Sequence, residues 1–231
     1  FSDDENSAFA VNYLTAWVAL MKVARLKSND TVLVHAAAGG VGTAAVQIAK
    51  NFGCNVIGTA SKNEKIEMLN NLGIDMAINY LHEDFEEVIK HKMNNNGVDV
   101  VLEVVGGDVF KKSMKLLNPF GRTVVAGFAS LNLKKMNPIS WVNTWKDIPR
   151  AKVADLAESS TGLLATHLGY LLNSEPLLSK VWNELVTFTI KHGIKPIIGH
   201  RFEFNDLSKA HELMESRNSY GKIIISLPTS L

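Results

Sequence analysis

Residues 32–50 read VLVHAAAGGVGTAAVQIAK, and this stretch decides the fold. Thr31 to Ala36 is β-branched and apolar without alternation, the pattern of a strand buried on both faces of a parallel sheet. Small residues follow. From Gly40 to Phe52 the apolar positions Val41, Ala44, Ala45, Ile48, Ala49 and Phe52 share one helical stripe, with Gly53 as the stop. Strand, glycine turn and helix start, in that order, form a dinucleotide fingerprint with Ala37 in place of its first glycine. Gly39 lets the backbone approach a pyrophosphate, Gly42 lets the helix pack on the strand, and the N–H groups of the helix start offer an anion its donors. The plain alternative is a glycine turn that binds nothing.

Outward from this stretch the same beat repeats. Strand 55–60 leads to helix 63–72, stopped by Gly73, then strand 76–79, helix 83–93 and strand 99–104. A short helix over 109–117, a turn at 118–121 and strand 122–127 follow. Strands alternating with helices specify right-handed crossovers and a doubly wound parallel sheet, the Rossmann arrangement of an α/β protein. Upstream, Ala10, Leu14, Trp17, Val18 and Met21 predict a helix over 7–26. Downstream the rhythm weakens over 131–160, with Trp141 and Trp145. A sixth strand within 162–168, a helix over 176–192 and a tail of strand, helix and strand complete the chain. The units are a linking helix (1–30), a dinucleotide-binding domain (31–193) and a C-terminal return segment (194–231).

The 24 basic and 23 acidic residues give a net charge of +1 with no Lys/Arg block, which argues against a nucleic-acid binder. The single cysteine, Cys54, reads as a packed thiol in a reducing compartment. No signal peptide precedes the acidic start, and the apolar run 8–24 is too short and too interrupted to span a membrane. A cytoplasmic protein, truncated ahead of Phe1, is expected.

Strand 55–60 ends in Ser61 and Lys62, where an NAD site commonly places Asp or Glu on the ribose. Ser61, Lys62 and Lys65 instead offer a hydroxyl and two ammonium groups, suited to a 2′-phosphate and hence to NADPH over NADH. The same residues also read as a capping box, Ser61 with Glu64, on a solvated helix. No Tyr-x-x-x-Lys pair, no Gly-x-Ser-x-Gly elbow and no metal-ligand spacing occurs, so no metal is expected. His35, at the end of a buried strand, reads as a hydrogen-bonded structural histidine.

The glycine stretch, with Asn12 to Ala16, Ile78 to Tyr80, Val104 to Gly107 and the ending from Ala210 to Lys222, resembles the zinc-independent quinone oxidoreductases of the medium-chain dehydrogenase/reductase superfamily. Residues 162–172 look most like the branch of the vesicle amine transport protein 1 homologues. The resemblance implies that Thr15 touches the nicotinamide end of the cofactor, and that Gly39, Gly40 and Val41 hold the pyrophosphate. Lys65, Tyr80 and Arg217 would meet the adenosine 2′-phosphate region, and Val105, Gly106 and Phe128 would line the nicotinamide. It also implies that residues 194–231 return to a catalytic domain whose N-terminal part precedes this chain. The implied activity is NADPH-dependent reduction of a quinone or other conjugated carbonyl. A non-enzymatic NADPH-binding relative associated with vesicles, lipid or RNA is the alternative. The apolar sixth strand is expected to pair two copies into a homodimer.

Overall fold

The structure is a computed structural model that describes residues 1–127, 148–171 and 173–228. Phe128, Trp141 and Trp145 lie outside the described residues, as does most of the segment 131–160.

Helix α1 (Asp3–Trp17) opens the chain. It begins four residues ahead of the predicted start because Ser2 and Glu5 form a capping box, each side chain accepting from the other's main-chain N–H. Its end widens into a π-helical turn over Val18–Val23, short of the predicted Leu26. Strand β1 (Thr31–Val34) then feeds helix α2 (Gly40–Asn51). Strand β2 (Asn55–Ala60), helix α3 (Asn63–Asn71), strand β3 (Met76–Asn79), helix α4 (Phe85–Lys92) and strand β4 (Val98–Glu103) follow the predicted order. Helix α5 (Gly107–Met114) leads to strand β5 (Leu117–Val125), and helix α6 (Val153–Ser159) to strand β6 (Gly162–Ala165). A short helix α7 (Leu168–Leu171), the long helix α8 (Glu175–His192), strand β7 (Ile198–Glu203), helix α9 (Leu207–Glu215) and strand β8 (Lys222–Ser226) complete the described elements.

Two local readings are corrected. The turn expected at 118–121 lies inside β5: the register jumps from Val98 against Leu117 to Val100 against Arg122. Asn118 holds the irregularity, accepting from Gly97 N–H at 2.8 Å and donating to Asp99 at 3.0 Å. The capping box of Ser61 with Glu64 does not form. Lys62 is the N-cap of α3, no side chain caps that helix, and Ser61 is turned inward and buried.

The first six strands form one parallel sheet in the order β3-β2-β1-β4-β5-β6. Strand order reverses between β1 and β4, and in such sheets ligands bind at the carboxyl ends beside that reversal. Both faces are covered, which explains the unbroken apolar strands. Val32, Val34, Val56, Val100, Leu102 and Val124 pack toward α1, α2 and α8. Leu33, Ile57, Ile78 and Val101 pack with Phe85 and Ile89 of α4 on the other face. Strands β7 and β8 form a separate two-stranded parallel sheet. It is tied back to the glycine loop by Gly221 N–H, which donates to the Ala38 carbonyl at 2.7 Å.

Strand β6 is an edge of the sheet, and among the described residues no strand pairs with its outer side. Leu164 is 37% exposed there. An apolar edge of this kind invites a second strand, so two copies are expected to pair about a twofold axis. A monomeric mass by light scattering, constant with protein concentration, would refute this.

Candidate dinucleotide site

The glycine loop is built by steric exclusion. A Cβ on Gly42 would fall on the Ala36 carbonyl and come within 2.7 Å of the Ala37 backbone, so only glycine lets α2 start this close to β1. Gly39 is the N-cap of α2 and carries no side chain over the helix start. The tight turn is completed by Ala36 at a φ of 48°, a left-handed conformation that disfavours a side chain. Gly40 is required for another reason: a Cβ there would meet the Asn12 amide at 2.5 Å, so α1 packs directly on the first turn of α2.

Beside this loop lies a cavity of about 440 Å³. Of the sequence-predicted residues, Gly39, Ser61, Lys65, Tyr80, Val105 and Arg217 line it. They converge from five separate parts of the chain. Tyr80 is fixed there by its main-chain N–H, which donates to the Ala60 carbonyl at 3.1 Å. Thr15, Gly40, Val41 and Gly106 are not in its wall. The Thr15 hydroxyl donates to Val11 O at 2.7 Å within α1, Gly40 and Val41 open α2, and Gly106 is the N-cap of α5 with a φ of 89°.

The end of the cavity at β2 is basic. Lys65 is only 8% exposed, and its Nζ donates to the Arg217 carbonyl at 2.8 Å, closing the C-terminal segment over α3. Among the described residues no carboxylate pairs with it. Burial, reinforced by the Lys62 charge, holds its ammonium below the ordinary lysine pKa. Lys62 itself takes a φ of 60°, and Arg217 one of 58°. Of the two, Arg217 lines the cavity and Lys62, expected from the sequence to offer a second ammonium there, is not in its wall.

Sequence reasoning missed several residues of this wall. Met214 and Ser219 enter it from the C-terminal segment, and Phe85 and Val109 from the other side. Beneath it, Glu103 is fully buried at the end of β4. One carboxyl oxygen accepts from Val105 N–H at 2.5 Å and Gly106 N–H at 2.9 Å, which shapes the turn that brings Val105 to the cavity. Among the described residues the other oxygen has no partner. The signal was available: a lone carboxylate inside the apolar run 100–105, three residues ahead of Gly106 and Gly107.

Burial raises the Glu103 pKa, more than its main-chain donors lower it. The folded chain therefore keeps this proton over a window above pH 4.5 in which the unfolded chain has lost it, so this group's contribution to stability falls as pH rises there. Glu103→Gln removes the dependence. Its urea midpoint should gain on that of the wild type between about pH 5 and about pH 8. A difference constant with pH would count against a protonated Glu103.

Among the described residues, no group of three or more His, Cys, Asp or Glu comes together as a metal ion would require, and no helix is long and apolar enough to cross a membrane. Cys54 is buried, its Sγ donating to Lys27 O at 3.3 Å, and burial pushes its thiol up to about 11.

Comparison with known proteins bears on the family and the fold. Residues 40–150 match the family described as zinc-binding dehydrogenase. The synaptic vesicle membrane protein VAT-1 homolog of Rattus norvegicus is 34% identical over 224 residues, covering 96% of this chain and 55% of its own length. Thus the chain spans about half the length of that relative. The quinone oxidoreductase of Thermus thermophilus, solved also in complex with NADPH, superposes with a TM-score of 0.77 at 30% identity over 98% of this chain and 67% of that one. The CurK enoyl reductase superposes with a TM-score of 0.81 at 28% identity, over 99% of this chain and 64% of that one.

Proposed function

The chain belongs to the medium-chain dehydrogenase/reductase superfamily, in the group of the quinone oxidoreductases and VAT-1 homologues, and on that premise we propose that its cavity binds NADPH. The observation that carries this reading is the buried Lys65, gathered with Ser61, Tyr80 and Arg217 where β2 ends without a carboxylate. A desolvated ammonium with only a carbonyl partner suits a dianionic phosphate. The pyrophosphate is assigned to Gly39, which lines the cavity and carries no side chain over the start of α2, and to the main-chain N–H groups of that helix start.

When bound, NADPH supplies a hydride, which the whole protein is proposed to deliver to a quinone or other conjugated carbonyl. The roles of this chain are to orient the dinucleotide and to exclude water from it. Glu103 holds the Val105–Gly106 turn, and Val105 and Val109 give the cavity an apolar wall. The nicotinamide is assigned to this end, with Thr15 and Gly106, beyond the cavity wall, and Phe128, outside the described residues, as further candidates. Among the described residues, the titratable side chains of the wall are His35, Lys65, Tyr80 and Arg217. Burial pushes His35 down to about 3, so it stays neutral and donates no catalytic proton. A quinone that accepts hydride becomes a stabilised anion, and water is sufficient to protonate it. Residues 194–231 are proposed to return to the substrate-binding part of the whole protein.

The test is isothermal titration of NADPH into this chain, followed by NADPH oxidation by the whole protein with a panel of quinones and conjugated ketones. Binding with turnover is expected. Binding without turnover on any acceptor would replace the reductase by the non-enzymatic NADPH-binding reading.

A further inference from the structure

His35 lies under the cavity at the sheet's point of reversal, and both ring nitrogens are engaged. Nδ1 is 2.9 Å from Thr59 Oγ1 of β2, and Nε2 is 2.7 Å from Ser113 Oγ of α5. Donor counting fixes the directions. The Ser113 hydroxyl has a single hydrogen, which it donates to the Val109 carbonyl at 2.7 Å, and a carbonyl can only accept. Ser113 Oγ must then accept from His35 Nε2–H. The ring carries one proton, on Nε2, so Nδ1 accepts from the Thr59 hydroxyl. All three side chains are at most 3% exposed. Phe85 packs edge-on against the ring at a centroid distance of 4.9 Å. The His35 main-chain N–H donates to the Leu102 carbonyl at 3.2 Å, and the titratable residue after it on β4, Glu103, turns its paired oxygen to main-chain N–H groups.

We infer that His35 is a positioning residue: as the neutral Nε2–H tautomer it links Thr59 of β2, through Ser113, to the Val109 carbonyl of α5, and so sets the distance between the two walls of the dinucleotide cavity. Thr59, His35 and Val109 all line that cavity. The two walls have no strand pairing between them, because β2 adjoins β1 and β3 while α5 follows β4. A hydrogen-bonded chain of fixed direction holds them where packing alone would allow sliding. The role rests on the proposed cofactor reading. It predicts an effect on every dinucleotide, since the link sets the spacing of the walls and none of the three side chains carries a charge to pair with a 2′-phosphate.

The test combines ring NMR with binding. In wild type, one of the seven histidines should show an Nε2-protonated, Nδ1-bare ring that does not titrate between about pH 5.5 and 8.5. Ser113→Ala and Thr59→Val should perturb that ring and weaken NADPH and NADH alike by roughly 5- to 10-fold. Thr59→Ser, which restores the hydroxyl, should recover most of the affinity. A ring protonated on Nδ1, a ring that titrates in this range, or folded variants that bind as wild type does would overturn the positioning role. So would failure of Thr59→Ser to rescue. If wild type binds neither dinucleotide, the cofactor reading falls and the positioning role falls with it. Wild-type binding separates the two failures.

Discussion

Lys65→Ala and Arg217→Ala are each expected to weaken NADPH binding about tenfold or more, from a charged hydrogen bond to phosphate worth roughly 1.5 to 3 kcal/mol. NADH should be little affected. The geometry refines this expectation, because Lys65 Nζ also donates to the Arg217 carbonyl, so its loss loosens the C-terminal segment as well. That segment keeps the bond from Gly221 N–H to Ala38 O, which lies at the glycine loop itself. The selectivity ratio is therefore the quantity to measure, by isothermal titration of both cofactors. It should fall about tenfold in each variant even where Lys65→Ala costs NADH a few-fold as well. Equal losses for the two cofactors, or a wild type that prefers NADH, would remove Lys65 and Arg217 from the 2′-phosphate.

Arg122→Met should destabilise the fold by about 3 kcal/mol, the low end for breaking a buried ion pair. The guanidinium of Arg122, on β5, reaches four acceptors. Nε donates to Ala24 O at 2.7 Å, Nη1 to Asp99 O at 3.2 Å, and Nη2 to Arg25 O at 3.1 Å and to Asp30 Oδ2 at 2.7 Å. It thus ties the chain entering β1 to the strands on the far side of the sheet. The pair is mostly enclosed, at 15% and 13% side-chain exposure for Arg122 and Asp30. Truncating Arg122 leaves Asp30 with the Lys27 N–H and leaves the carbonyls without their donor. Asp30→Ala in the same chain should recover part of the loss, since the stranded charge is then gone. Urea unfolding of the two single variants and the double variant measures this. A loss below about 1 kcal/mol for Arg122→Met would reduce the network to an exposed-pair contribution.

The path of the chain was legible residue by residue, for a local reason. Burial on both faces forces unbroken apolar strands, a helix forces a 3.6-residue stripe, and the start of α2 admits no side chain at Gly42. Each constraint acts within a few neighbours, so β2 and β3 match their predicted bounds and α2 and α3 end one residue early. The first misreadings came where a short-range pattern had two solutions. Ser61 with Glu64 satisfied a capping box on paper, yet Lys62 took the N-cap and left Ser61 to the cavity. The predicted turn at 118–121 was absorbed into β5, because Asn118 could satisfy the irregularity with its own amide.

The sequence by itself determined a doubly wound sheet, a glycine loop and a basic end to β2. What only the tertiary structure decided is which distant residues share the site. Lys65 meets the Arg217 carbonyl across 152 positions, and His35 meets Ser113 across 78. Glu103 turns its carboxylate onto the two N–H groups that follow it. A hydroxyl, an imidazole or an ammonium can bond to many partners. Its choice depends on strand order and on register across a sheet, and no local pattern carries either.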